Sequence, residues 1–169
     1  KRQLHTHSVY SDGTVTPAEL ISMAAACKLK GLALTDHDTV EGVQETISLG
    51  RKTEITVISG VEISAMHHGH SLHILGYGID PENQNLCEWL DQLQQGRVER
   101  NIKILEKLAS MGINISGDEL SRLSECGQTG RPHIARLLID KGYVKTMNEA
   151  FNFYPVSYTH LTLPTNREV

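Results

Sequence analysis

Four short stretches of this chain place histidine or acid at the end of an apolar run: His5-Thr-His7, Thr35-Asp36-His37-Asp38, Gly60-Val61-Glu62 and Leu72-His73. Side chains alternate in an extended segment, so His5 and His7 point the same way and can both ligate one cation. Ser11-Asp12-Gly13 is a turn tripeptide that sets a carboxylate just beyond them. Neutral imidazole suits Zn, Fe or Mn, and added carboxylates shift the preference toward harder ions such as Mn or Mg. A mixed His/Asp/Glu set therefore reads as a multinuclear hydrolytic cluster, not a cysteine-based structural zinc. Isolated surface or core histidines would account for one His-x-His pair, but not for four clusters in register with apolar runs.

The elements that must carry these residues alternate. Residues 3–8 read as a first strand. Thr16-Pro17-Ala18-Glu19 is a capping box with proline at the first helical position, opening a helix to about Lys30, where Gly31 ends it. Residues 31–35 read as a short buried strand, and Asp38-Thr39-Val40-Glu41 as a second capping box starting a helix to about Leu49. Residues 55–63 form a third strand and residues 71–75 a fourth. Strands alternating with helices imply parallel pairing, with ligands gathered at the carboxyl ends of the strands. His67, His68 and His70 have no apolar run before them and read as a hairpin tip.

After Asp80 the pattern turns helical. Leu90, Leu93, Val98, Ile102, Leu105 and Leu108 recur near helical period over residues 86–109, and Ser116-Glu119 and Thr146-Glu149 cap two shorter helices. Pro132 opens another. Arg97, Arg100, Lys103 and Lys107 give the long helix a basic side, read as a solvated face in preference to a substrate clamp. The expected division is residues 1–80 as a strand-helix body, 81–155 as an all-helical insertion, and 156–169 as a separate tail.

Composition narrows the class. The 169 residues are 39% hydrophobic and 21% charged with a formal charge of -4, ordinary for a globular domain and unfavourable for broad nonspecific DNA binding. Three cysteines, Cys27, Cys87 and Cys126, lack paired spacing, so a reducing, cytoplasmic setting is expected. No stretch approaches the ~20 apolar residues of a membrane span, and no signal peptide is recognised before Lys1.

His5-Thr-His7, Ser11-Asp12-Gly13, Leu34-Thr35-Asp36-His37-Asp38-Thr39, Gly60-Val61-Glu62-Ile63-Ser64 and His73-Ile74-Leu75-Gly76 resemble the successive motifs of the PHP (polymerase and histidinol phosphatase) superfamily, from Gln3 to about Pro155. The helical insertion and Arg131-Pro132-His133 make the chain similar to the bacterial nucleoside 3′,5′-bisphosphate phosphatase branch, which includes 5′ to 3′ exoribonucleases. The resemblance implies an α/β fold, a partial distorted (β/α)7 barrel of which the first four strands are present, with the helical insertion. It implies a trinuclear Mn-type site, with Zn, Fe or Mg as alternatives, and phosphate removal from small phosphorylated nucleotides or stepwise cleavage of short RNA. Carried over residue by residue, His5, His7, Asp12, His37, Glu62 and His73 would be metal ligands, Glu62 bridging two ions. Gln3 departs from the family's usual Asp; it adjoins the ligands without being one. Asp36 and Asp38 flank a ligand and read as its support or, for Asp38, as a helix cap.

Pro132 puts Arg131 near a helix N-cap and His133 in the first turn, where the helix dipole and a planar guanidinium both favour an anion. A capping Arg and a solvated His are the bland alternative; the resemblance tilts the pair toward phosphate binding. Uncatalysed phosphate-monoester hydrolysis needs rate gains up to ~10²¹-fold, of which side-chain acid-base catalysis typically supplies only ~10²–10⁴. A metal cluster is what such chemistry calls for. A phosphatase for another small ester, such as histidinol phosphate, would share the ligands but lacks the insertion and the Arg131-x-His133 motif. A non-catalytic metal-binding module fits less well, because none of the six carried-over ligands is substituted. Residues 156–169 look like translated sequencing adapter, and the family's later Ala-His-Pro and Ser-Asp-x-His motifs are absent, so the chain is expected to be an inactive first portion of such an enzyme.

Overall fold

The computed structural model describes residues 1–68, 70–124 and 128–153; Cys126 and the proposed adapter tail at 156–169 lie outside these. A mixed α/β fold is built on one four-stranded sheet in the order β1-β2-β3-β4. Strand β1 (Arg2–Gln3) is much shorter than the expected 3–8. Beyond Gln3 the Thr35 amide still donates to the Thr6 carbonyl at 2.9 Å, but side chains take the neighbouring places: Thr6 Oγ1 donates to the Ala33 carbonyl at 2.6 Å and the Thr6 amide donates to Thr35 Oγ1 at 3.2 Å. The segment still runs beside β2, but as an irregular chain with His5 and His7 on either side of Thr6.

Helix α1 (Pro17–Ala26) is set by the expected capping box: Thr16 Oγ1 accepts from the Glu19 amide, and the Glu19 carboxylate accepts from the Thr16 amide at 2.7 Å. It ends earlier than expected, with Lys28 at φ 54. Strand β2 (Gly31–Leu34) is buried throughout, the mark of a strand covered on both faces. Helix α2 (Val43–Arg51) begins after Gly42 with no side-chain cap. Asp38 therefore does not cap it, contrary to expectation; the Asp38 backbone sits at φ 53, and its carboxylate is engaged elsewhere.

Strand β3 (Thr56–His67) pairs parallel with β2 and antiparallel with β4 (His70–Tyr77). The antiparallel pair corrects the expectation of parallel strands throughout. Only two residues separate β3 from β4, too few for the crossover a parallel neighbour needs. His67 and His70 face each other at the hairpin's end, as expected of a tip.

Past residue 83 the described residues hold only helices: α3 (Gln84–Ser110), α4 (Gly117–Ser121), α5 (Arg131–Asp140) and α6 (Met147–Phe153). Ser116 and Glu119 form the expected capping box. Buried apolar residues fall into separate clusters. Leu20, Leu34, Val40, Val43, Val61 and Leu90 pack α1, α2 and the start of α3 on the sheet, while Ile104, Leu108, Ile134, Leu138 and Ala150 form a core among the helices. Helix α3 belongs to both, so it fixes the helical part against the sheet. No helix among the described residues is long and apolar enough to cross a membrane.

Candidate metal centre

The parallel step from β2 to β3 places the residues after β2 against the middle of β3. An isolated bridge joins His37 to Glu62, the Asp38 amide donates to the Glu62 carbonyl at 2.9 Å, and the Glu62 amide donates to the Asp36 carbonyl at 3.1 Å. Close approach here depends on Gly60, where a Cβ would lie 2.8 Å from the Leu34 carbonyl oxygen and 3.0 Å from that of Gly76. Antiparallel register pairs Glu62 with Leu75 and Ser64 with His73, and alternation puts Glu62, Ser64 and His73 on one face.

Glu62 is the centre. Its carboxylate meets His5 Nε2 at 2.8 Å, His7 Nε2 at 3.0 Å, His37 Nε2 at 3.7 Å and His73 Nδ1 at 2.7 Å. Asp12 reaches His7 Nδ1 at 3.4 Å and His37 Nε2 at 3.6 Å. All six sequence-chosen residues thus come together. They make three overlapping trios, His5-His7-Glu62, His7-Asp12-His37 and His37-Glu62-His73, with donor atoms within 4.8 Å of one another. Donors around one cation at ~2.1 Å bonds stand roughly 3–4 Å apart, so the donor set and its spacing fit divalent ions. The hairpin histidines His67, His68 and His70 belong to none of these trios.

The electrostatics suit ligation. Burial would raise the Glu62 carboxyl, but the His5 hydrogen bond and the charges of His37, His7 and His73 outweigh it and hold the group below its ordinary value. Burial, with Arg97 nearby, pushes His37 down to about 4 against the pull of Asp12 and Glu62. The ring is therefore neutral near pH 7, the form that binds a metal. Burial raises Asp36, although Ser11 and Ser8 donate to it. Its oxygens accept from the Ser8 amide at 2.7 Å, Ser8 Oγ at 2.6 Å and Ser11 Oγ at 2.6 Å. Asp36 is thus the buried anchor of the 7–13 loop that presents His7 and Asp12.

Asp38 takes a different part. Its carboxylate accepts from the Ser64 amide at 2.7 Å and from Arg97 Nε, and its carbonyl accepts from Gln94 Nε2 at 2.9 Å. Arg97 Nη2 also reaches Ser64 Oγ at 2.6 Å. The solvated-face expectation for Arg97 and Arg100 is overturned, since Arg97 is tied to the sheet and Arg100 is only 9% exposed. Helix position alone could not reveal this; the single sequence signal was their i, i+3 spacing.

Arg131 and His133 open α5 behind the N-cap Gly130. His133 is not a solvated side chain, for its Nδ1 accepts from the Gly130 amide at 3.0 Å. Burial lowers the His133 pKa, opposed by Asp12, and Arg131 is lowered by burial and by Arg97. The start of α5 therefore faces the cluster through Asp12 and faces α3 through Arg97.

Comparison with known proteins points the same way. The chain is 39% identical over 152 residues to the 3′,5′-nucleoside bisphosphate phosphatase of Chromobacterium violaceum, covering 89% of this chain and 53% of the relative. It is 36% identical over 154 residues to a 5′-3′ exoribonuclease of Haemophilus influenzae, covering 91% and 56%. A crystal structure from Bifidobacterium adolescentis, provisionally assigned as a metal-dependent phosphoesterase, superposes with a TM-score of 0.83 at 30% identity, covering 95% of this chain and 56% of that one. The chain spans about half the length of the curated relatives it matches. With the PHP domain profile matching residues 3–157 as well, the chain belongs to the PHP domain family.

Proposed function

We propose that this chain is the metal-binding portion of a metal-dependent phosphoesterase that removes phosphate from nucleoside 3′,5′-bisphosphates or degrades short RNA from its 5′ end. One observation carries the reading: a single buried carboxylate, Glu62, is met by four histidines from three separate segments, the His5-Thr6-His7 stretch, the turn after β2 and strand β4. The names of the relatives supply the nucleotide class. In this reading residues 1–80 carry the ligands and 81–155 carry the substrate side.

His5, His7, Asp12, His37, Glu62 and His73 would hold divalent ions, Mn by preference, with Glu62 shared between two. Bound there, such ions would supply hydroxide at neutral pH and neutralise phosphoryl oxygens. The chain's own groups do the rest. Asp36 holds the 7–13 loop in place from below. His133 accepts at Nδ1, so its neutral ring carries the proton on Nε2, where it can donate to a phosphoryl oxygen. Arg131 offers a planar fork to the same group.

The test joins residues 1–155 to the matching second half of a relative, so that the family's remaining motifs are supplied. Manganese-dependent phosphate release from adenosine 3′,5′-bisphosphate is expected, and Glu62→Gln should remove it and bring bound Mn to background by elemental analysis. A Glu62→Gln protein that keeps its metal and its turnover would overturn the reading.

A further inference from the structure

The turn that reverses β3 into β4 carries three histidines in four residues, His67, His68 and His70. All three are exposed, and among the described residues no hydrogen bond or ion pair holds their rings. The antiparallel register makes His67 and His70 the last facing pair of the hairpin, so both side chains leave the sheet on the same side with their Cβ atoms roughly 5 Å apart. The His68 ring lies beside that of His67, with centroids 4.1 Å apart and planes inclined by 66°. The His68 backbone is in the left-handed region at φ 48. Asparagine and glycine are the residues such a turn itself favours, so the turn alone does not call for an imidazole.

This group is separate from the cluster around Glu62. Alternation along β3 puts Glu62 and Ser64 on one face and Ile63, Ala65 and His67 on the other, and the cross-strand partners Ile74, Leu72 and His70 share that second face. His67 also lies five residues beyond Glu62, roughly 17 Å of extended chain. Neither set can lend a ligand to the other.

The donor chemistry differs too. The cluster mixes imidazole with the carboxylates of Asp12 and Glu62, which suits harder ions. The hairpin end offers imidazole alone, which favours late first-row ions such as Ni(II), Cu(II) or Zn(II). Two nitrogens bound to one such ion at ~2.1 Å stand roughly 3–3.5 Å apart, within reach of imidazoles on facing or adjacent positions. His67 belongs to both close pairs, facing His70 and touching His68. Exposed side chains change rotamer in picoseconds to nanoseconds, so an ion arriving at His67 can gather the other two.

We propose that the β3–β4 hairpin end is a second metal site, on the sheet face away from Glu62, which takes a late first-row divalent ion through the imidazoles of His67, His68 and His70. Three protein ligands leave a position open to water, so the ion is exchangeable, unlike that of a closed structural zinc site. The proposal does not rest on the phosphoesterase reading.

The experiment is calorimetric titration of the 169-residue chain with Ni(II) alone and with Mn(II) alone, at mildly alkaline pH, for the parent, His67→Gln and His68→Asn. Asparagine tolerates the left-handed conformation, so His68→Asn tests ligation while keeping the hairpin. Ni(II) also suits the imidazoles of the cluster, so the quantity read is the class of Ni(II) sites that the hairpin variants weaken. That class should lose at least roughly tenfold in affinity in each variant, no less than when a residue one step behind a metal ligand is removed, with Mn(II) uptake the same in all three proteins. Ni(II) binding undiminished in His67→Gln, or Mn(II) uptake falling together with it, would overturn the site.

Discussion

Glu62 and His37 occupy the same few ångströms yet respond to acid in ways that can be worked out singly. An unfolded His37 takes a proton near pH 6.5, whereas the folded one takes it near 4. Between those values the unfolded chain binds more protons, so stability present above pH 6.5 is lost as pH falls toward 4, on the order of 3 kcal/mol. His133, also depressed, acts in the same sense. Glu62 is a depressed carboxyl whose contribution is lost only as pH falls below its ordinary 4.5. Asp36, raised above 3.8, works the other way in the window just above that value. The expected outcome for the metal-free chain is a lower urea midpoint at pH 5 than at pH 7.5; a flat profile would mean that His37 is charged in the fold. The six metal-suited residues carried local marks in the sequence, the His5-x-His7 spacing, the turn at Asp12, and the ends of apolar runs at His37, Glu62 and His73, and the resemblance to the PHP family singled them out from neighbours such as Asp36 and Asp38. Ser8, Ser11 and Ser64 were not legible. A hydroxyl or amide that supports a carboxylate from 28 or 26 residues away carries no local signal.

Elements were legible where their punctuation was chemical. Thr16-Pro17 with Glu19, and Ser116 with Glu119, are caps whose side chains answer the helix's own free amides, so the sequence and the structure agree on where α1 and α4 start. Asp38 had the same outward pattern and failed as a cap, because burial against Ser64 and Arg97 offered its carboxylate stronger donors than a helix end could. The direction of β4 followed from loop length, and the alternation rule was the wrong one to apply there. Glycine tests whether β2, β3 and β4 are as close as the site requires. At Gly60 a Cβ would meet the Leu34 carbonyl oxygen and Thr35 Cγ2, both at 2.8 Å. Backbone cannot swing aside as a flexible side chain can, so Gly60→Ala should cost roughly 1–3 kcal/mol in urea unfolding, the scale of overpacking. At Gly117, in the first turn of α4, nothing lies within 4 Å; Gly117→Ala should be neutral or stabilise by up to about 1 kcal/mol. Equal effects at the two positions would contradict the packing described for the sheet.

At the scale of the whole molecule one helix joins two of the three buried clusters among the described residues. Leu90 packs with the sheet, and Ile104 and Leu108 pack with α5 and α6, so α3 carries Arg97 and Arg100 toward the Asp38 side of the sheet as a rigid strut. The change of character after Asp80 was visible as a change of period, but the docking angle of α3, and with it the burial of Arg97 and Arg100, depends on contacts between residues far apart in sequence. The opposite side of the molecule is less well covered. Strand β4 stands at the sheet's edge among the described residues, and Leu72 and Ile74, on one face of it, are 45% and 53% exposed. Unpaired backbone donors beside exposed branched apolar side chains form a surface onto which another copy can add a strand. The 169-residue chain should therefore elute as a concentration-dependent oligomer by light scattering. Leu72→Lys with Ile74→Lys, which charges that edge without touching the His73 face, should shift it to monomer while leaving bound Mn unchanged. A parent chain that stays monomeric up to high micromolar concentration would show that the exposed edge is protected by means other than pairing.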